Sequence, residues 1–322
     1  MPLASARSFA GIAKETVFGT AVAATAFIPV TDIKPKDKLT LLDDKGYRGS
    51  MVDVYDKISG PIWAELDMSG DVFPDTIGWL ATGILGDLAT TGASAPFTHT
   101  AAVLNTGTGQ PPSYTVTDYY GSTGARQYAG FKVSELGFKF SGDGLLQYSA
   151  KGLALASATA AAPVPSFTAV TPMAGWTGAV QIAGVSSTLL MDGEFTIKRP
   201  VTALSTADGT QAPYALWSGP VAVSGKMTLV MEDDAQLTNY LTNAKPALDF
   251  NFAQGAGSSA VQVKLHASKC AYSDAEISRG KDYIELSVSY EGLANTTDVG
   301  ASGGYSPCKV TIQNAIAAGT YK

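Results

Sequence analysis

The chain has 322 residues, of which only 16% are charged, and its formal net charge at pH 7 is −6. A protein that grips nucleic acid needs a basic surface, so this balance argues against nucleic-acid binding, although not against a protein past which nucleic acid slides. The length leaves room for about two domains. The weakly charged composition, rich in Gly, Ala, Ser and Thr, suits a subunit that packs against copies of itself, and the alternative is an ordinary β protein with a polar, uncharged surface.

The first part of the chain predicts extended structure. Residues 1–25 are rich in small residues and have weak periodicity, which predicts an extended or partly disordered arm. A strand is predicted over 27–33, and Pro29 favours an edge position for it. The charged stretch 36–57 contains several turn signals, so a protruding hairpin or long loop is expected there.

A half-buried strand and a helix come next. Residues 61–69 alternate in polarity, with Leu66 on one face and with Glu65 and Asp67 on the other. This period of two is typical of a strand that buries one face. The segment 75–85 then carries apolar residues at helical spacing, which predicts a short helix.

The later elements are also mainly strands. Residues 131–140 and 145–155 predict a hairpin, because Asp143-Gly144 between them tolerates positive φ. The segment 156–165 is rich in Ala and Pro and marks a domain boundary. The second half predicts strands over 189–199, 221–231, 247–252, 261–266, 270–277, 283–290 and 308–312, with a helix over 234–243 after the second of them.

Several of these elements recur in the same order, which indicates an internal repeat. Ser59-Gly60-Pro61 and Ser218-Gly219-Pro220 each introduce a strand, an acidic link and a helix. The segment 146–154 matches 286–294 at an offset of 140 (286 minus 146), with Leu, Ser, Gly, Leu and Ala identical. Chance similarity between β-rich segments is the alternative. The interpretation is a mainly β fold with minor α, in two tandem units that each contain one short helix.

The repeat predicts the domain organisation, and unrelated topologies in the two halves would contradict it. The predicted parts are an N-terminal arm over 1–25, a first domain over 26–155, an Ala/Pro-rich linker over 156–184, a second domain over 185–294, and a C-terminal strand and tail over 295–322.

Residues for catalysis or metal binding are scarce. His99 and His266 lack a second ligand at metal-binding spacing, so each is interpreted as a surface or satisfied structural histidine, and no metal site is predicted. No nucleophile motif or phosphate-binding glycine loop appears, so no catalytic residue and no cofactor are predicted. The acidic run 232–234 could take a calcium ion, but it lies where a helix starts, and the helix dipole explains it.

The chain carries no sign of export or membrane insertion. Cys270 and Cys308 lack the density of a disulfide scaffold, so reduced thiols are expected, and their roles are left open. No apolar run reaches 18 residues, and the first residues lack the apolar region of a signal peptide. We therefore expect a chain made in a reducing cytoplasm.

The N-terminal run points to a family. The segment 11–23, GIAKETVFGTAVA, followed by Phe27-Ile-Pro-Val30, resembles the opening of tailed-bacteriophage major tail tube proteins. The likeness is close over about 20 residues. Phe18 stands where Tyr is common. The resemblance implies a structural virion protein with a β-sandwich or half-barrel unit, whose strands join those of neighbours to line a tube for genome ejection.

The resemblance also implies partners. A tube ring usually needs six units, so a chain with two units closes it as a trimer with pseudo-sixfold symmetry, whereas a chain with one tube unit and one decoration domain forms a true hexamer. The trimer is favoured. Rings that stack, a tape-measure protein, a tail terminator and double-stranded DNA that passes without specific binding are expected, with assembly in the host bacterial cytoplasm.

A conduit for DNA must not bind it, so we expect a neutral or acidic lining. Strand faces with only polar residues qualify, and the alternative is that they face outside solvent. Lys151 and Lys226 would weaken such a lining. The residues predicted to face the channel are Glu65, Asp67, Gln147, Ser149, Glu285, Ser287, Ser289 and Glu291.

Contacts between subunits are predicted for Ile12, Val17 and Phe18, because these apolar residues lie in an arm with no core of its own. Deletion of 1–25 should then leave folded protein that assembles poorly. A two-domain β adhesin or carbohydrate-binding module and a capsid decoration protein are the alternative functions, and electron microscopy of the purified protein separates them from tubes.

Overall fold

The structure is a computed structural model that describes residues 3–121, 124–280 and 282–322. Within these residues it is mainly β with two α-helices, which confirms the predicted fold class. The helices are α1 (Ile77–Leu85) and α2 (Ala235–Leu241). The strands are β1 (Phe9–Lys14), β2 (Ala26–Ile28), β3 (Asp32–Asp44), β4 (Asp56–Asp71), β5 (Gly86–Thr91), β6 (Phe97–Val103), β7 (Tyr114–Tyr119), β8 (Gly124–Ser141), β9 (Gln147–Leu155), β10 (Ala158–Ala161), β11 (Gly178–Ile182), β12 (Val185–Ser187), β13 (Leu190–Lys198), β14 (Val201–Leu204), β15 (Ala215–Ser218), β16 (Ala222–Val230), β17 (Leu248–Gln254), β18 (Val261–Ala267), β19 (Cys270–Ser278), β20 (Glu285–Gly292) and β21 (Lys309–Asn314).

The two halves of the chain repeat one strand order in the larger sheet. In the first half the order is β3-β4-β9-β8, and in the second half it is β13-β16-β20-β19, with every pair antiparallel. In each half a helix and an outer hairpin, β5–β6 or β17–β18, lie in sequence between the second strand of this order and the last two. The halves therefore share one topology.

The two four-stranded units are joined edge to edge. β8 of the first unit pairs with β13 of the second, and Phe138 lies opposite Phe195 at the middle of that junction. The sheet thus runs without a break from β3 to β19. The domain boundaries stay a prediction, because strands of both halves contribute to the same sheets.

The second sheet covers one face of the first. Its order is β12-β11-β17-β18-β21-β6-β5, so the C-terminal strand β21 lies between the two outer hairpins. Aromatic rings join the layers: the Phe140 ring centroid lies 5.1 Å from that of Phe250 and 5.0 Å from that of Phe252. One continuous core fills the space between the sheets, as in a β-sandwich.

The helices differ in burial. Every residue of α1 is buried, which agrees with its sequence of Ile, Leu, Trp and small residues. No residue of α2 is buried, and the hydroxyl of Tyr272 reaches it by donating to Gln236 at 2.9 Å. The helix predicted over 75–85 begins two residues later than expected, at Ile77, and its N-cap is Thr76.

Three sequence predictions differ from the structure in detail. The Ser59-Gly60-Pro61 phrase lies inside β4, whereas Ser218 ends β15 and Gly219-Pro220 lie between β15 and β16. The predicted hairpin over 36–57 is the outer part of β3 and β4, which stay paired from Asp44 and Asp56 inward. The predicted linker carries strands β10 and β11, because backbone groups of small residues pair as readily as those of larger ones.

Candidate functional surface

The face of the larger sheet that points away from the core is polar, and charged residues form rows across it. Directly paired residues of antiparallel strands share a face, so the registers place these residues side by side. One row crosses seven strands: Asp71, Gln147, Lys139, Glu194, Lys226, Ser289 and Asp274. A second row crosses five strands: Lys34, Asp67, Lys151, Glu135 and Lys198. We call this surface the polar face.

All eight residues predicted to face a channel lie on the polar face. In the first half, Asp67 is paired with Lys151 and Ser149 with Ser69. In the second half, Ser289 is paired with Lys226 and Glu291 with Ser224. The remaining members are Glu65, Gln147, Glu285 and Ser287, which alternate with buried residues on the same strands. Whether this face lines a channel stays a prediction.

Burial on this face is uneven. Glu285 is only 8% exposed, although it was predicted as an open acidic position. It lies at the end of β20 opposite Val230, where neighbouring side chains cover it. Asp67 and Glu291, by contrast, are exposed.

Two lysines of the polar face form ion pairs with carboxylates on neighbouring strands. Lys139 Nζ lies 3.0 Å from a carboxylate oxygen of Glu194, and Lys151 Nζ lies 2.9 Å from one of Glu135. The hydrogen bond to Glu135 raises the pKa of Lys151. Lys151 and Lys226 thus do lie on this face, and the first is neutralised locally, so the surface alternates in sign instead of being uniformly acidic.

Two long edge strands of the larger sheet, β3 and β19, have a strand partner on one side only within the described ranges, as do the short strands β2 and β10. β3 pairs with β4 alone, and β19 pairs with β20 alone. Both are long, and unpaired strand edges of this kind favour addition of another strand. On β3, Leu39 and Leu41 are about half exposed. The two edges lie at opposite ends of one sheet.

The predicted N-terminal arm is mostly part of the fold. Residues 9–14 form β1, which pairs with β2 and β7, and Ile12 is 1% exposed within its own chain. This part of the arm is therefore packed within its own chain, against expectation, because it pairs with β7. Val17 is 63% exposed, and the Phe18 ring lies close to Gly130 of the same chain. Roles of these residues between subunits stay a prediction.

The buried carboxylate of Glu15 stabilises this region through four hydrogen bonds. Glu15 accepts hydrogen bonds from the hydroxyls of Ser113 at 2.7 Å and Thr115 at 2.8 Å. It also accepts from the backbone N–H groups of Gly130 at 2.7 Å and Gly19 at 3.0 Å. The family phrase in which Glu15 stands therefore encodes a structural anchor, which sequence reasoning missed.

Both histidines are structural residues whose ring nitrogens have hydrogen-bond partners. This was one of the two interpretations from sequence, the other being a surface position. His99 is 1% exposed; its Nδ1 lies 2.9 Å from the Thr90 hydroxyl and its Nε2 2.9 Å from the Ile316 carbonyl oxygen. Burial lowers the pKa of His99. His266 lies between the Asp249 carboxylate, at 2.7 Å, and the Ser268 hydroxyl, at 2.8 Å.

The Ser268 hydroxyl, which lies beside His266, is not free to act as a nucleophile. Its hydroxyl donates to the fully buried Asp298 at 2.7 Å, and its backbone N–H donates to the other oxygen of that carboxylate. Asp298 thereby ties the end of β18 to the loop before β21. The arrangement is a structural hydrogen-bond network.

The described residues contain no group of three or more His, Cys, Asp or Glu that could hold a metal ion. Cys270 and Cys308 are buried free thiols, and burial raises the pKa of both. In the part of the chain that is described, no helix has the length and apolar character to cross a bilayer.

Comparison with known proteins identifies the family. The family model described as phage tail tube protein matches residues 5–292. The chain therefore belongs to the phage tail tube protein family, as the N-terminal phrase indicated, and it is a structural component of the virion tail. No curated protein matches the chain.

Proposed function

We propose that this member of the phage tail tube family self-assembles into stacked rings, and that the polar face lines a conduit for double-stranded DNA during genome ejection. The observation that carries the proposal is the junction of β8 with β13. It joins two units of the same strand order edge to edge, which is the contact that a ring of such units needs.

The ring is proposed to contain three copies. Each chain supplies two units with matching strand order, so three chains supply the six units that a tail tube ring usually has. The ring then has pseudo-sixfold symmetry. A hexamer of whole chains is the alternative, and it would require one unit of each chain to lie outside the ring.

The electrostatics of the polar face fit passage without binding. A basic strip would release counterions from DNA and hold it. Here the lysines alternate with carboxylates such as Glu135 and Glu194, and the chain as a whole carries a net charge of −6. Phosphates would meet paired charges with an acidic excess, so the duplex stays separated from the wall by water and counterions.

The proposal extends to partners by family membership. A tape-measure protein inside the tube, a tail terminator at its end and further rings of the same chain are the proposed contacts. Assembly would take place in the cytoplasm of the bacterial host, and the mature protein would reside in the virion tail.

The decisive experiment is negative-stain electron microscopy of the purified full-length chain, with mass determination of single rings. Stacked rings with the mass of three chains are expected. Rings of six chains would overturn the trimer and leave the tube function standing. A chain that stays monomeric, at concentrations where other tail tube proteins polymerise, would overturn the proposed self-assembly.

A further inference from the structure

The junction inside the chain has a defined register that can serve as a template. Phe138 lies opposite Phe195, and both rings are buried in the core. On the polar face beside them, Lys139 lies opposite Glu194 and Gly137 lies opposite Thr196. This register describes how the last strand of one unit meets the first strand of the next.

The internal repeat identifies the residues that are equivalent to this pair on the free edges. The offset of 140 makes Tyr148 of β9 equivalent to Val288 of β20 (288 minus 148). Tyr148 is paired with Phe138, and Val288 is paired with Ala275. Ala275 of β19 therefore stands where Phe138 stands in the first unit.

The same combination of the repeat offset and the strand registers identifies the equivalent residue on β3. Ala150 is equivalent to Tyr290 by the offset of 140, and their partners are Met68 and Gly225. Met68 is paired with Ile33, and Gly225 is paired with Phe195. Ile33 of β3 therefore stands where Phe195 stands in the second unit.

We propose that consecutive copies of this chain meet as the two units meet inside it: β19 of one copy pairs antiparallel with β3 of the next, with Ala275 opposite Ile33 and Asp274 opposite Lys34. This inference rests on the proposed ring, and it specifies the contact on which the ring depends. The occupant of each free edge is thus a second copy, because the two edges are the complementary ends of one repeated arrangement.

The residues at the proposed seam suit it on both faces. Ile33 and Ala275 are partly buried against the core in one chain, so pairing would complete the apolar layer. On the polar face Asp274 is exposed and the Lys34 side chain is 72% exposed, so both are available for a new ion pair. The row that ends Lys226, Ser289 and Asp274 would continue into Lys34 and Asp67 of the next copy.

Charge alone does not select this register. It also places Glu276 opposite Asp32, although Lys34, which forms an ion pair with Asp32 within the chain, lies diagonal to Glu276. A shift of two residues would instead place Glu276 opposite Lys34. The internal junction selects between the two, and the shifted register is the competing outcome of the test.

Disulfide trapping in the full-length chain tests the register. The variant Lys34→Cys with Asp274→Cys places two thiols directly opposite each other, with Cβ atoms about 4.5–5.5 Å apart, close enough to bond after small adjustments. Mild oxidation of assembled protein should give covalent trimers on non-reducing gels. The native thiols are buried and should not react, which the wild-type chain and each single variant check.

The matched control is Lys34→Cys with Glu276→Cys, which reports the shifted register. Stronger cross-linking in this control, or equally absent cross-linking in both pairs within assembled rings, would overturn the proposed register. Failure of the unmodified chain to form rings would instead overturn the proposed function, so the two failures are distinguishable.

A charge exchange provides a second measurement that needs no oxidation. Lys34→Glu should raise the concentration needed for assembly on the order of two- to fivefold, because it opposes like charges across the seam. Lys34→Glu combined with Asp274→Lys should restore assembly. No recovery in the double variant, where the single variant is defective and folded, would contradict the pairing.

Discussion

The Arg199 guanidinium donates a hydrogen bond of 2.9 Å to the carbonyl oxygen of Ile84, so a residue of the second unit caps the helix of the first. The same side chain bonds to the carbonyls of Leu85 and Gly219. Unpaired carbonyls at a helix C-terminus favour a cation. Burial lowers the pKa of Arg199 to about 10, so the group remains charged at neutral pH.

Replacement of Arg199 should therefore destabilise the whole chain. Arg199 is 4% exposed, and Arg199→Ala would remove the donor to the buried Ile84 carbonyl and to the partly buried Gly219 carbonyl. The expected loss in the free energy of unfolding is about 3 kcal/mol, measured by urea denaturation. The neighbouring exposed Lys198→Ala should change stability by less than about 0.5 kcal/mol in the control. Equal effects of the two variants would contradict the capping role.

Ile12 and Val17 should behave in opposite ways. Ile12→Ala removes a fully buried side chain and should cost about 2–4 kcal/mol of unfolding free energy. Val17→Ala, at a position that is 63% exposed, should leave stability within about 0.5 kcal/mol and act only on assembly. Deletion of 1–25 should thus unfold the chain, in contrast to the prediction from sequence. A stable truncated protein would show that β1 is dispensable.

Stability should fall in mild acid because of His99. Burial holds the pKa of His99 below its ordinary value of 6.5. The unfolded chain therefore takes up a proton first as the pH drops below about 6.5, and stability is lost from there down to the folded-state pKa. His99→Gln should be less stable at pH 7.5 but should lose less between pH 7.5 and pH 5. Parallel pH profiles for the two proteins would refute this assignment.

Reversal of charge on the polar face should impede DNA passage. Asp192 lies two residues before Glu194 on β13 and therefore shares the polar face. Asp67, Asp192 and Glu291 are exposed there, so their replacement by Lys removes no core contact, whereas Glu285 is too buried for this test. Assembled tubes are expected, with slower genome ejection that recovers as salt rises, because screening weakens the new attraction. Ejection rates of reconstituted phage at low and high salt measure the effect.

The control for the charge reversal changes three exposed carboxylates that lie off the polar face. Replacement of Asp53, Glu232 and Asp234 by Lys makes the same change in net charge. It should leave ejection at the normal rate. A defect in both triple variants would show that the effect comes from net charge. A normal ejection rate in both would show that the polar face does not line the channel.

The sequence by itself determined the local properties of this protein. The alternation of Leu66 with Glu65 and Asp67 predicted the correct faces of β4, because side chains of a strand alternate whatever strands lie beside it. The repeat at an offset of 140 and the N-terminal phrase indicated the topology and the family for the same reason: both can be read without knowledge of distant contacts.

Only the tertiary structure decided which edges meet. That Ile12 is buried depends on β7, which is about a hundred residues away in sequence. The pairing of β8 with β13 is made by backbone hydrogen bonds, which do not depend on residue type and so leave no pattern in the sequence. The position of Arg199 at the C-terminus of α1 likewise follows only from the fold. The sequence does not reveal which carboxylate pairs with Lys139. The ion pair of Lys139 with Glu194 on the polar face is set by the register between neighbouring strands.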